Sequence, residues 1–165
     1  MKTLYLLRHA HADAAELGQD DHDRRLSPRG ETESENLGAF MKQQNLYPES
    51  AACSTSLRTR ETLRIAAAKL FDGQGGLSAR YERSLYLAHP ETIIDEVREA
   101  DDRFASLMIV GHNPGLEDIA ERMAEGCAAH IGKFPPATLV VFECDIGKWE
   151  EFSLKKLRLK TVFMP

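Results

Sequence analysis

The chain has 165 residues, of which 42% are hydrophobic and 28% charged, a balance that excludes a disordered chain and leaves room for one packed unit rather than two. Acidic residues outnumber basic ones by 26 to 21, and the formal net charge of -5 argues against a nucleic-acid partner, because the molecule as a whole repels polyanions. The run Leu4-Tyr5-Leu6-Leu7 is cut off by Arg8 and His9 before it reaches signal-peptide length, and no stretch approaches the roughly 20 apolar residues of a membrane helix, so a cytoplasmic protein with no membrane partner is expected.

Three apolar runs bounded by breakers read as buried strands at the sheet centre: Thr3 to Leu7, Leu107 to Val110 and Leu139 to Phe142. After the first comes a polar, acidic segment, His11 to Arg25, without helical or strand periodicity, which reads as a loop. A helix then opens at Ser27-Pro28, with Ser27 as N-cap, Pro28 in the first helical position and Leu37, Phe40 and Met41 at helical spacing; Asn45 and Pro48 end it. A short strand near Ala51 to Ser54 leads into a helix from about Ser56 to Leu70, whose buried stripe is Leu57, Leu63, Ala66, Ala67 and Leu70. Pro90 starts a third helix with Ile93, Ile94 and Val97 inward, and a fourth follows Pro114-Gly115 to about Glu125. Leu139 to Asp145 and Trp149 to Leu159 look like a hairpin across Ile146-Gly147-Lys148. Alternating strands and helices followed by paired strands imply an α/β chain, three layers α/β/α around a largely parallel sheet with an antiparallel edge.

In open α/β sheets, ligands sit where the carboxyl ends of the strands meet helix N-termini. Arg8-His9 follows the first strand, Ser54 to Arg58 the second, and Gly111-His112-Asn113-Pro114-Gly115 the strand ending at Val110. Three strand ends therefore deliver two arginines and two histidines to one edge. Guanidinium groups bind phosphoryl oxygens bidentately and stay charged at any working pH. A neutral imidazole can attack phosphorus, and a second, once protonated, can hold developing charge. Such a set is competent for phosphoryl transfer without a metal.

At these residues the sequence resembles the histidine phosphatase superfamily, the phosphoglycerate-mutase-like fold. Leu7-Arg8-His9-Ala10 is similar to the Arg-His signature, Ser54-Thr55-Ser56-Leu57-Arg58-Thr59-Arg60-Glu61-Thr62 to the turn carrying the second arginine, and Val110-Gly111-His112-Asn113-Pro114 to the second-histidine motif. The short length, Asp23-x-Arg25-Leu26-Ser27-x-x-Gly30 and Ser84-Leu85-Tyr86-Leu87-Ala88 look most like SixA-type phosphohistidine phosphatases. The resemblance spans about residues 3 to 115 and implies a single histidine phosphatase domain over 1–165. It also implies that His9 is the nucleophile, transiently phosphorylated, while Arg8, Arg58 and His112 grip the phosphoryl group and the Asn113 backbone N–H adds a contact. The implied partner is a phosphorylated protein such as a histidine phosphotransfer domain.

Larger members carry an acidic residue that protonates an alkoxide leaving group. Here the corresponding region, about Arg80 to Glu91, offers Glu82 and Glu91 but no copy of that motif. An imidazole leaving group has a conjugate acid near pKa 6.5 and can be protonated near neutral pH, whereas an alkoxide needs a proton, so the missing acid favours P–N over P–O cleavage.

Other readings compete. His9-Ala10-His11-Ala12-Asp13 is H-x-H-x-D after a strand, a spacing that can present metal ligands and would make a metal-dependent hydrolase of His9, His11 and Asp13. The arginine and histidine set could instead capture phosphate without turnover, or serve a small phosphorylated metabolite. His11, His22, His89 and His130 read as structural histidines, with His11 near enough to touch substrate. Cys53, Cys127 and Cys144, an odd set without C-x-x-C spacing, read as reduced structural thiols. Ser27, Ser54 and Ser56 lack a G-x-S-x-G context and read as caps or turn residues, no glycine-rich turn has phosphate-loop spacing, and Lys155 to Lys160 reads as a half-buried edge strand.

Overall fold

The computed structural model describes residues 1–165. Six strands form one sheet: β1 (Lys2–Arg8), β2 (Ser50–Ser54), β3 (Ser78–Glu82), β4 (Ser106–Gly111), β5 (Leu139–Cys144) and β6 (Leu157–Phe163), in the spatial order β3-β2-β4-β1-β5-β6. The first four of that order run parallel, while β5 is antiparallel to both β1 and β6. The three apolar runs read as central strands are β4, β1 and β5, neighbours in the middle of the sheet.

Side chains alternate across a strand, and β1 shows what that does. Leu4 and Leu6 join one core with Ile93 and Val97 of α3 (Pro90–Arg98) and Leu116, Ile119 and Met123 of α4 (Gly115–Gly126). Tyr5 and Leu7 join the other with Leu37 and Met41 of α1 (Pro28–Gln43) and Leu63, Ala66 and Leu70 of α2 (Leu57–Phe71). A strand apolar on both faces therefore demands a helical layer on each side, and each buried leucine contributes about 1.5–3 kcal/mol. This is the three-layer α/β architecture expected from the sequence. No helix is long and apolar enough to cross a membrane.

Two glycines let the backbone close around the carboxyl edge of the sheet. A Cβ on Gly30, in the first turn of α1, would lie 2.0 Å from the His11 carbonyl oxygen, and one on Gly115, opening α4, 2.0 Å from that of Ala88. Ser27 caps α1 as read, its Oγ accepting from the Gly30 N–H at 3.1 Å.

The structure departs from the sequence reading at two strands, and on α2 the polar Arg58, Thr59 and Thr62 are buried beside Leu63, Ala66 and Leu70 while Leu57 and Ala67 are only partly so. The edge strand β3 has no apolar signal: Ser78, Ala79 and Tyr81 are exposed, because an edge strand packs little. The hairpin is also longer than drawn. Trp149 does not start the last strand but sits fully buried in a 3-10 turn (Trp149–Glu151), its backbone N–H donating to Asp102 Oδ1 at 2.7 Å and its Nε1–H to the Phe104 carbonyl at 3.1 Å. Burial of the indole with both donors satisfied outcompetes its strand preference, and β6 begins only at Leu157. From there it is a half-buried edge strand, with Arg158 and Lys160 paired to Glu143.

Candidate active site

The carboxyl ends of β2, β4 and β1 are adjacent, and they bring the four predicted side chains together. His9 follows β1 directly and its backbone is clamped on both sides: its N–H donates to the Gly111 carbonyl at 3.1 Å and its carbonyl accepts from Ala137 at 3.0 Å. His112 follows β4, and Arg58 is the second residue of α2, after the β2 turn. Arg8, His9, Arg58, His112 and Asn113 all line one pocket of about 450 Å³.

The His9 ring lies 2.7 Å through Nδ1 from the Ala10 carbonyl. A carbonyl only accepts, so Nδ1 carries the proton and Nε2 presents its lone pair. Burial, with the charges of Arg58, Arg8 and Arg24, pushes the His9 pKa down to about 4 against the opposing pull of the Ala10 carbonyl, which leaves a neutral imidazole at neutral pH. Arg58 Nε stands 3.4 Å from His9 Nε2, and Arg58 Nη2 stands 3.4 Å from His112 Nδ1. The two imidazole centroids are 5.2 Å apart. Burial, then His9 and Arg58, lower His112 to about 3. Its Nε2 sits 2.9 Å from Ser54 Oγ, so Nδ1 is the atom left to face Arg58 and the pocket.

Arg8 donates through Nη1 to the Phe134 carbonyl at 2.7 Å, while its buried Nε has no partner. The Asn113 side-chain amide is turned to Glu117 Oε2 at 2.8 Å and the Phe134 carbonyl at 3.1 Å.

Other residues singled out from the sequence are held elsewhere or otherwise. His11 lines the pocket, with Nδ1 2.7 Å from Ser27 Oγ. His22 reaches Thr55 Oγ1 at 2.9 Å, His130 pairs with Glu121, and His89 is the N-cap of α3 without a side-chain bond. No three His, Cys, Asp or Glu side chains converge closely enough to hold a metal ion, so His9, His11 and Asp13 form no ligand set. The three cysteines are free thiols, Cys53 and Cys144 buried, with burial raising both to about 12. Glu82 pairs with Arg80 at 2.8 Å and Glu91 with Arg122 at 3.0 Å, and neither lines the pocket.

Four residues at or behind the pocket, Asp21, Arg24, Tyr86 and Ser54, are given no site role by the sequence. Asp21 and Arg24 line it, supplied by the polar loop before α1. Asp21 Oδ2 accepts from the Tyr86 hydroxyl at 2.6 Å and from Arg58 Nη2 at 3.0 Å, and Oδ1 accepts from Arg24 Nη1 at 2.9 Å. Tyr86, then Arg24 and Arg58, hold this carboxyl far below the usual carboxylate range, so it stands as an anion and not as a proton donor. Ser54 orients His112. Asp21 is one of three aspartates in Asp20-Asp21-His22-Asp23, and no local pattern separates it from its neighbours. Tyr86 lies in the Ser84 to Ala88 stretch, the one signal that pointed toward it.

A model of the histidine phosphatase superfamily (branch 1) matches residues 4–85. An uncharacterized protein of Mycobacterium leprae is 31% identical over 153 residues, covering 88% of this chain and 89% of the relative. Among solved structures, a candidate phosphohistidine phosphatase SixA from Agrobacterium tumefaciens superposes with a TM-score of 0.83 at 29% identity, over 99% of this chain and 98% of that one. Another from Nakamurella multipartitia gives 0.81 at 26% identity, over 99% and 96%. With the two arginines and two histidines gathered in one pocket on this fold, the chain belongs to the histidine phosphatase superfamily and is of the SixA type.

Proposed function

We propose that residues 1–165 act as a single, metal-independent phosphohistidine phosphatase domain in the cytoplasm, working through a phosphohistidine on His9. The observation that carries this reading is the His9 ring: neutral, with Nδ1–H tied to Ala10 and Nε2 left as the acceptor, met by Arg58 Nε–H at 3.4 Å and near His112. Nε2 attacks phosphorus and the bond to the leaving group breaks, its electron pair departing with that group. Arg8, Arg58 and His112 hold the phosphoryl oxygens, with the Asn113 backbone N–H as a further contact. His112 gains a proton more readily once a phosphoryl dianion offsets the charge of Arg58, and Nδ1–H then donates to that oxygen.

The phosphorylated His9 keeps its Nδ1 proton on the Ala10 carbonyl and is therefore a cationic phosphoimidazole, itself a good leaving group. Water attacks, the P–N bond breaks, and its electron pair returns to Nε2. Positioning and fixed charge supply the catalysis.

The substrate preference follows from the carboxylates. Glu82 and Glu91 are tied to arginines outside the pocket, and Asp21 is held as an anion. With no carboxyl group free to protonate an alkoxide, the site favours a leaving imidazole. A phosphorylated protein, such as a histidine phosphotransfer domain, fits this preference and the likeness to SixA-named structures.

Phosphate release from a phosphohistidine protein and from an aryl phosphate, each with chelator, tests the reading, together with a search for acid-labile phosphate on His9. Chelator-resistant release, faster from the phosphoprotein and with labelled His9, is expected. Preference for a small phosphorylated metabolite would change the substrate and keep the mechanism, whereas chelator-sensitive activity with no labelled His9 would overturn it.

A further inference from the structure

Asp21 poses a problem that the proposed reaction leaves open. It is the one carboxylate lining a pocket meant for a dianion, and an anion there repels the phosphoryl group. Its place calls for a compensating task, and the geometry points to one. Asp21 meets Arg58 twice: its backbone carbonyl accepts from Nη1 at 2.6 Å and its Oδ2 from Nη2 at 3.0 Å. Both terminal nitrogens of the guanidinium are thereby committed to one residue, and the plane of the fork is fixed. The edge left over, Nε with the inner side of Nη2, faces His9 Nε2 and His112 Nδ1, each at 3.4 Å.

Asp21 is itself pinned. It opens a 3-10 turn (Asp21–Asp23) whose cap, Asp20, accepts from the His22 N–H at 2.9 Å, and His22 in turn reaches Thr55 beside the β2 turn. Arg24 holds Oδ1 and is anchored by its own Nε to the Asp13 carbonyl at 2.8 Å. The Tyr86 hydroxyl holds Oδ2, and the Tyr86 ring packs edge-on against His112, centroids 5.4 Å apart, and within 5.9 Å of the Arg58 guanidinium carbon. A long, rotamer-rich arginine is thus held by a short residue that is tied down on three other sides.

We propose that Asp21 is a positioning residue, buttressed by Tyr86 and Arg24, that holds the Arg58 guanidinium with its Nε edge aimed into the gap between the two histidines where the phosphoryl group is gripped. The inference rests on the phosphoryl-transfer reading of the pocket. It also accounts for the departure noted in the sequence: the stretch that brings a proton-donating carboxylate in larger relatives here brings Tyr86 to steady an anion.

A double-mutant cycle in the full chain tests it, using wild type, D21N, R58A and D21N/R58A with p-nitrophenyl phosphate, whose leaving group needs no proton. D21N is expected to lower kcat/KM at least about tenfold, mostly in kcat, because small misplacements of a gripping group cost that much or more. In the R58A background the same change should cost less than about twofold. Equal losses in both backgrounds, or none in the wild-type background, overturn the inference.

A second readout does not use turnover. The Arg58 Nε–H resonance in a 15N spectrum should exchange slowly with solvent in the wild type and quickly in D21N. An Arg58 resonance unmoved by D21N overturns the proposal. If D21N does not fold, Tyr86→Phe serves instead: it removes one hydroxyl, should loosen the same resonance and lower kcat by a few-fold, and leaves the inference overturned if it does neither. A wild-type protein inert on both aryl phosphate and phosphohistidine would defeat the phosphatase reading itself, while the resonance would still report whether Asp21 fixes Arg58.

Discussion

Two pockets lie at opposite ends of the same strands, and their charges are built on different plans. At the amino ends of β2, β3 and β4, a pocket of about 300 Å³ is lined by Ser50, Ser78, Arg80, Glu99, Asp101 and Arg103 among others. There each arginine is matched: Arg80 reaches Glu82 and Glu96, and Arg103 reaches Asp101 at 3.0 Å. At the carboxyl ends, three arginines, Arg8, Arg24 and Arg58, line the pocket with one carboxylate, Asp21, an excess of two positive charges in the lining, while Glu117 acts on Arg8 from outside it. Matched ions satisfy each other and leave no net charge for an anion. An excess of two in the lining suits the dianion of the proposed phosphoryl substrate.

His9→Ala would break this contrast most completely, since turnover should vanish while the far-UV spectrum and melting temperature stay close to wild type; an active, folded variant ends the His9 mechanism. Arg58→Ala comes next, with an expected loss of about 3–4 kcal/mol of transition-state stabilisation, seen as a drop of about two to three orders of magnitude in kcat/KM on an aryl phosphate. Unchanged kcat/KM would remove Arg58 from the site.

The pH dependence gives a smaller effect with a definite sign. The His9 pKa is lowered to about 4, so the reactive neutral ring persists above that value, and the acid limb of kcat/KM on an aryl phosphate should break near 4 and not near 6.5. The stability consequence follows from proton binding. His9 and His112, at about 4 and about 3, bind fewer protons folded than unfolded, so the stability they contribute is complete above about 6.5 and is lost as pH falls toward 4. Urea midpoints that do not fall between pH 7 and 5 relative to a His9→Asn/His112→Asn variant would contradict it. The smallest effect belongs to the other pocket: Arg103→Ala, at an exposed pair, should leave kcat/KM unchanged and shift stability by less than about 0.5 kcal/mol in urea unfolding.

Much of this molecule is legible in its amino-acid sequence. The apolar strands β1, β4 and β5 announce themselves because burial on both faces leaves no polar alternation, and the helix starts at Pro28 and Pro90 because proline and its preceding cap are local signals. His9, Arg8, Arg58 and His112 were legible for a related reason. Each sits at a strand end or in a helix's first turn, and in parallel sheets those ends converge.

The misses share an opposite cause. Tyr81 of β3 is exposed and carries no burial pattern, and Trp149 left its expected strand for two hydrogen-bond acceptors, Asp102 and Phe104, more than 40 positions away. Asp21, Tyr86 and Ser54 act through partners 37 to 65 positions away, Arg58 and His112 among them, and Arg24 acts through Asp21. Periodicity and capping are short-range consequences of backbone geometry, so the architecture and the convergence of Arg8, His9, Arg58 and His112 at one sheet edge could be read from the chain alone. The choice of one aspartate among three to hold an arginine depends on where distant loops fall once the two cores are packed, and that only the folded structure decides.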